Sequence, residues 1–372
     1  SFFYPCYITS TLSPLMGSSA SAPFFSAMAM LANSNLCPFL FALAIGIPSA
    51  VLYCSLLLVI VANFKHFSSP FFILIIIRAI LSLINYFVAF LAHRFGKIGL
   101  FLPIYLKFPR LLLAFLFFIG YYVFHVENLL TAFLLLNRLS AILFPLKYEK
   151  LWRVGLPFVV AFSFIFPLPF TAPIFGLDMY IHVQNDNATF TLDDHKTENE
   201  LNSSEIAAWS AVLFGIVCLF LNVATLLAYK LRSNYQQNGQ NAANECKMTI
   251  YTVATFFGQL LMALFMFFVC ITATNFVDEH NNRFSYVQEW FNVSSAQNDI
   301  LFFANFNQNP WVNDLSTVVI PAWLLLWASS KLREIISKQL KIGNEKSRNT
   351  IHVHQIMTVS ARTQQIKGIC RR

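Results

Sequence analysis

Residues Phe39 to Ala62 read FLFALAIGIPSAVLYCSLLLVIVA, a run without one charged side chain. At about 1.5 Å per residue a helix of this length reaches about 36 Å, enough to cross the roughly 30 Å hydrocarbon layer of a bilayer. A soluble surface helix needs a polar face, and this one has none. Working outward, six further stretches share the character, near 71–92, 111–136, 156–177, 206–229, 249–274 and 311–328. Asn313, Asp314, Ser316 and Thr317 dilute the start of the last, which is apolar from Val318 to Ala328. The apolar segment Ala22–Ala32 is too short to cross, and no basic stretch precedes it as a signal peptide would require. With 57% hydrophobic residues, 11% charged residues and a mean hydropathy of +0.60 over 372 residues, the chain cannot cover a water-soluble fold with polar side chains. The expected fold is an all-α membrane protein, a seven-transmembrane helix bundle. Residues 1–38 precede it, 39–328 form it, and 329–372 follow as a tail. Because the sequence opens at Ser1 and not Met, the natural amino terminus is expected further upstream.

The basic residues orient the bundle, because Lys and Arg concentrate in cytoplasmic loops. Placing the first, third and fifth gaps and the tail in the cytosol puts eighteen of the 25 basic residues there and six outside, with Arg78 inside a span. The expectation is an N-terminus outside and a C-terminus in the cytoplasm. Arg94, Lys97, Lys107 and Arg110 run against the rule. Asn187, Asn202 and Asn292 are Asn-x-Ser/Thr glycosylation acceptors, and all three fall in loops this topology places outside. The net charge of +8 then belongs to the cytosolic face, beside anionic lipid, and does not point to nucleic acid. Only Cys6 and Cys37 lie outside, so one extracellular disulfide is available. In the tail, Leu332, Ile335, Ile336 and Leu340 recur at helical spacing, which predicts a short amphipathic helix over 331–340 on the inner leaflet.

Charges within lipid cost several kcal/mol unless partnered, so they mark candidate functional positions. Arg78 lies about 10 Å and Glu127 about 14 Å from the cytosolic ends of their spans. That depth predicts an ion pair, with Asn222 and Gln259 in the same polar layer. Whether such a network only fixes packing or also switches stays open. Nearer the outer edge, Asp314, His125, Tyr121 and Tyr122 are candidates to line a ligand cavity for a small molecule with an apolar body and one polar or cationic group. Against this stands the abundance of aromatics, 16% of the chain, most of which pack or face lipid. No His-Glu-x-x-His, Gly-x-Ser-x-Gly or glycine-rich phosphate loop occurs, and His352 and His354 lack companion ligands, so no enzyme, metal or cofactor is expected. A secondary transporter is the alternative: Pro167, Pro169 and Pro173 interrupt the fourth span, although no matching break appears in another half. A channel or a structural membrane protein would need charge rings or a small-residue seam, which 12 Gly do not supply.

Several short stretches carry a resemblance. Gly46-Ile47-Pro48-Ser49 with Leu52-Tyr53, Ile77-Arg78-Ala79 and Arg94-Phe95-Gly96 form one part of it. Asn137-Arg138 with Phe144-Pro145 and Tyr148-Glu149-Lys150-Leu151-Trp152 form the other. Together they resemble the nematode serpentine receptors of class gamma, a group of chemosensory seven-transmembrane G-protein-coupled receptors. The resemblance implies a receptor for a small-molecule chemical stimulus in the plasma membrane of sensory neurons, with a heterotrimeric G protein as partner. It implies that Arg138 is similar to the arginine that latches such receptors and then engages the G protein, with Asn137 in place of the usual acid. Lys147, Lys150 and Arg153 would share that face. The seventh span has Pro321 but no Asn-Pro-x-x-Tyr, the sixth has no proline, and no cysteine sits near the outer end of the third.

Overall fold

A computed structural model of the chain describes residues 22–34, 36–183, 189–194, 203–233, 240–273, 275–277, 283–291 and 293–338. Seven helical segments are long and apolar enough to cross a membrane: Leu36–Ala62, Pro70–Lys97, Arg110–Leu143, Tyr148–Gly176, Ile206–Leu231, Thr249–Thr272 and Ser295–Ala328. They are called spans 1 to 7. Span 3 sits centrally against spans 2, 4 and 5, span 6 packs on 5 and 7, and span 1 closes the ring against 7 and 2. The main core gathers Tyr53, Leu56, Leu74, Val126, Leu130 and Leu325 with their neighbours, while Leu58, Val154, Phe158 and Phe220 are exposed where lipid would cover them.

Irregularities have local causes. Span 4 is a regular helix only to Ile165, because Pro167 and Pro169 cannot continue the ladder, and it goes on through short turns at Leu168–Thr171 and Ala172–Gly176. Span 2 passes through a π-helical turn at Phe90–Arg94 and span 7 through another at Leu315–Val319. Thr317 and Ser316 donate to the Asn313 carbonyl beside the second turn, a local competition that loosens the helical ladder. Span 7 starts well before residue 311. A capping box between Ser294 and Gln297 opens a helix at Ser295–Phe306, and the chain turns at Asn307 before entering Asn309–Asp314. That first helix is amphipathic rather than continuously apolar, which is why hydropathy alone misses it.

One end of the bundle carries α1 (Ala22–Asn33) and the hairpin of β1 (Met179–Val183) and β2 (Phe190–Asp194); this is the hairpin end. The α1 helix packs on Ser295–Phe306, where Asn307 donates to the Ala32 carbonyl at 2.7 Å. The hairpin puts Met179 and Leu192 into a cluster with Ala92, Leu113, Ala114 and Leu116, so burial of apolar surface anchors it to spans 2 and 3. Gly96 sits directly beneath the Phe190 carbonyl, where a β-carbon would collide with backbone. Tyr105 reinforces the join: its ring lies 4.8 Å from that of Phe190, its hydroxyl donates to the Leu91 carbonyl, and burial pushes the phenol up to about 12. At the opposite, tail end, residues 330–338 are helical. Leu332, Ile335 and Ile336 turn toward the main core, so the apolar stripe expected to lie in lipid docks on the bundle. Leu340 falls outside the described residues. Lys338 holds the exposed Glu334 carboxyl below its usual range, so this bond is present above that range and is lost as pH falls through it.

Candidate functional site

Two π turns face each other across the hairpin half of the bundle, and a buried ion pair joins them. Arg94, the last residue of the span-2 turn, and Asp314, immediately before the span-7 turn, are 2% and 0% exposed. Arg94 Nη1 donates to Asp314 Oδ2 at 3.0 Å, Nη2 donates to Oδ1, and Nη2 also reaches the Pro310 carbonyl at 3.4 Å. The guanidinium lies 4.5 Å from the Phe90 ring centroid and 5.1 Å from that of Tyr86, which gives it aromatic faces as well as a carboxylate. Turns of this kind re-aim side chains and occur often at functional sites. Here they carry the two charged groups to one point.

Two glycines make room for span 7. A β-carbon on Gly46 of span 1 would lie 2.6 Å from Asp314 Oδ2 and 3.0 Å from the Tyr86 hydroxyl; one on Gly258 of span 6 would lie 3.2 Å from Ser316 Cα. Gly46→Ala is therefore expected to cost about 1–3 kcal/mol by displacing the carboxylate, read as a lower midpoint of thermal unfolding in detergent. Gly120→Ala, at a helical position with nothing within 4 Å, should leave that midpoint unchanged or raise it slightly.

The pair corrects two expectations. Asp314, expected beside His125, Tyr121 and Tyr122, has Arg94 as its partner. Tyr122 donates to the Phe164 carbonyl at 2.9 Å, an acceptor left over where span 4 loses its regular helix. His125 Nδ1 lies 3.1 Å from Ser210 Oγ on span 5, and Tyr121 packs its ring 5.0 Å from Phe117. Tyr122 and His125 thus bond to spans 4 and 5, while Tyr121 packs on Phe117 within span 3. The charge exception at 94–110 also dissolves in large part. Arg94 is buried in a span, Lys97 donates to the Phe306 carbonyl at 3.0 Å and lies over its ring, and Arg110 pairs with Asp178 at the surface.

The polar layer deeper in the bundle is assembled differently from the expected ion pair. Glu127 accepts a hydrogen bond from Ser82, one turn beyond Arg78 on the same face of span 2. Arg78 is 1% exposed, and no hydrogen bond satisfies its Nε, Nη1 or Nη2. Asn222 donates to the Cys218 carbonyl of its own helix, its Oδ1 and the Gln259 Nε2 have no partner, and neither joins Glu127. Sequence depth placed these groups in one layer; which oxygen a carboxylate chooses depends on rotamer and helix rotation, and hydropathy reports neither.

At the tail end, Arg138 of span 3 lies flat on Phe71, its guanidinium carbon 3.3 Å from the ring centroid. Tyr251 of span 6 meets the same ring edge-on at 6.2 Å, so Phe71 is clasped between spans 3 and 6. Asn137 was expected to face a partner but is fully buried, because a helix turns neighbouring side chains about 100° apart. Its Oδ1 accepts from the Tyr148 hydroxyl at 3.2 Å, and Trp152 Nε1 donates to Ser140 Oγ at 2.7 Å, fixing the start of span 4 to span 3. Lys147, Lys150 and Arg153 are exposed around this point. Asn187, Asn202 and Asn292 lie outside the described residues, as does Cys6; Cys37 is exposed. Among the described residues no group of three or more His, Cys, Asp or Glu could hold a metal ion.

Seven apolar spans packed into one helical bundle are the architecture of a serpentine membrane protein. The chain belongs to a family described as "Srg family chemoreceptor", whose sequence pattern matches residues 39–336. It is similar to serpentine receptor class gamma-69 of Caenorhabditis elegans, at 26% identity over 226 residues, 58% of this chain and 64% of that protein. The chain therefore spans less than two thirds of that curated relative. It is a multi-pass membrane protein of a chemosensory receptor family.

Proposed function

We propose that this receptor detects a small-molecule chemical ligand at its hairpin end and signals through a heterotrimeric G protein at its tail end. In this reading the hairpin end faces the exterior and the tail the cytosol of a sensory neuron, with the chain in the plasma membrane. Arg138 carries the argument. A cation poised at the end of the central helix, held by a ring that span 6 also grips, is set to be released when spans 3 and 6 move apart, and Lys147, Lys150 and Arg153 then add a basic surface for an acidic partner. With Asn137 in place of the acid, a cation–π contact with Phe71 holds Arg138. Asp314 being occupied, the ligand class favoured is neutral: an apolar body with one hydrogen-bonding group, in keeping with the aromatic cluster between spans 3 and 4 at Phe118, Tyr122 and Phe175.

Cells expressing the chain with a promiscuous G-protein reporter, screened with volatile and soluble chemicals, should give a concentration-dependent calcium or cyclic-nucleotide signal. Arg138→Ala should abolish that signal at equal surface level. Ligand uptake by proteoliposomes lacking a G protein would instead support a transporter and overturn the reading.

A further inference from the structure

Three spans carry buried hydrogen-bond donors that are left without a partner. Arg78 of span 2 has all three guanidinium nitrogens without a partner, and the hydroxyls of Tyr53 on span 1 and Tyr251 on span 6 are equally unserved. All three side chains are at most 1% exposed, and Tyr53 and Tyr251 pack in one buried core with Ile75 and Ala79, the span-2 residues on either side of Arg78, so that both hydroxyls feel its charge. A buried donor left unmade costs about 1–3 kcal/mol, and more for a charged group. A permanently charged guanidinium whose protons have no acceptor is thus a costly arrangement to bury. Glu127, the acidic group whose charge reaches Arg78, gives its oxygen to Ser82 and leaves those protons unused.

We propose that Arg78, Tyr53 and Tyr251 form a binding site for a small monovalent inorganic anion, chloride, inside the bundle. A halide accepts from several donors at once in any direction and brings its charge to those donors. Water would serve the donors one by one but brings no charge. By tying spans 1, 2 and 6 together beside Phe71, an ion here stabilises the clasped arrangement of Arg138. Glu127 and the anion repel, so removing that negative charge strengthens the site.

The test uses purified full-length receptor in detergent, with thermal unfolding followed in chloride, bromide and gluconate at equal ionic strength. Chloride and bromide should raise the midpoint in a saturable manner and gluconate should not, because a ligand that binds only the folded state stabilises it by mass action. Tyr53→Phe and Tyr251→Phe should each raise the half-saturating chloride concentration roughly tenfold without altering the midpoint in gluconate. Glu127→Gln should lower it, and Arg78→Gln should abolish the chloride effect. If Arg78→Gln does not fold, the two tyrosine variants carry the test alone. Midpoints that follow ionic strength identically in chloride and gluconate, or tyrosine variants with unchanged chloride dependence, would overturn the proposal.

Discussion

Arg94→Ala is expected to remove most of the receptor from the cell surface. The substitution leaves the Asp314 carboxylate, 0% exposed, beside Gly46 and Tyr86 with its counter-ion gone. Breaking a buried pair from one side costs about 3–5 kcal/mol, a large share of the roughly 5–15 kcal/mol that holds a typical protein folded. Asp314→Ala should do comparable damage by stranding the guanidinium. The double variant Arg94→Met with Asp314→Leu should recover much of the loss, since apolar side chains of similar volume often replace a buried pair at little cost. Flow cytometry of an epitope-tagged chain and unfolding of purified protein provide the readings. Additive losses in the double variant would show that the two groups do not act as a pair.

Phe71→Leu is expected to raise signalling in the absence of any ligand. It removes the face on which the half-buried Arg138 rests and the edge that Tyr251 meets, and a cation–π contact of this burial is worth about 1–2 kcal/mol. If the clasp biases the resting state, its loss shifts the equilibrium toward the released state by roughly five- to thirtyfold, at the common conversion of about 1.4 kcal/mol per factor of ten. Phe71→Trp, with a stronger π face, should keep basal signalling low. Reporter activity normalised to surface expression distinguishes the outcomes, and an unchanged basal level in Phe71→Leu at full expression would remove the clasp from the mechanism.

Uninterrupted apolar runs made the spans legible, because in lipid each backbone polar group must be satisfied within its own helix and length alone then decides. Several residues of the resemblance knit the spans. Gly46 admits Asp314, Arg94 pairs with it, Gly96 seats the hairpin, Asn137 takes the Tyr148 hydroxyl and Trp152 caps Ser140. What they do was hidden, because each function is a relation between spans far apart in sequence. Arg94 reads as a loop residue at the edge of an apolar run, and only the π turn at Phe90–Arg94 draws it inward. Asp314 reads as an unpaired acid for the same reason, its partner lying 220 residues away. Likewise nothing in the chain around Glu127 distinguishes Ser82 from Arg78 as its partner, since both occupy one face of span 2.

Membrane sidedness is the claim on which the receptor reading rests. The direct measurement is antibody access to tags placed ahead of Ala22 and after Arg372 in intact and permeabilised cells, with glycosidase treatment of the same samples. The account predicts that the first tag is stained on intact cells, that the second is stained only after permeabilisation, and that glycosidase lowers the apparent mass through Asn187, Asn202 or Asn292. Both tags stained on intact cells, or the tail tag alone, would contradict it.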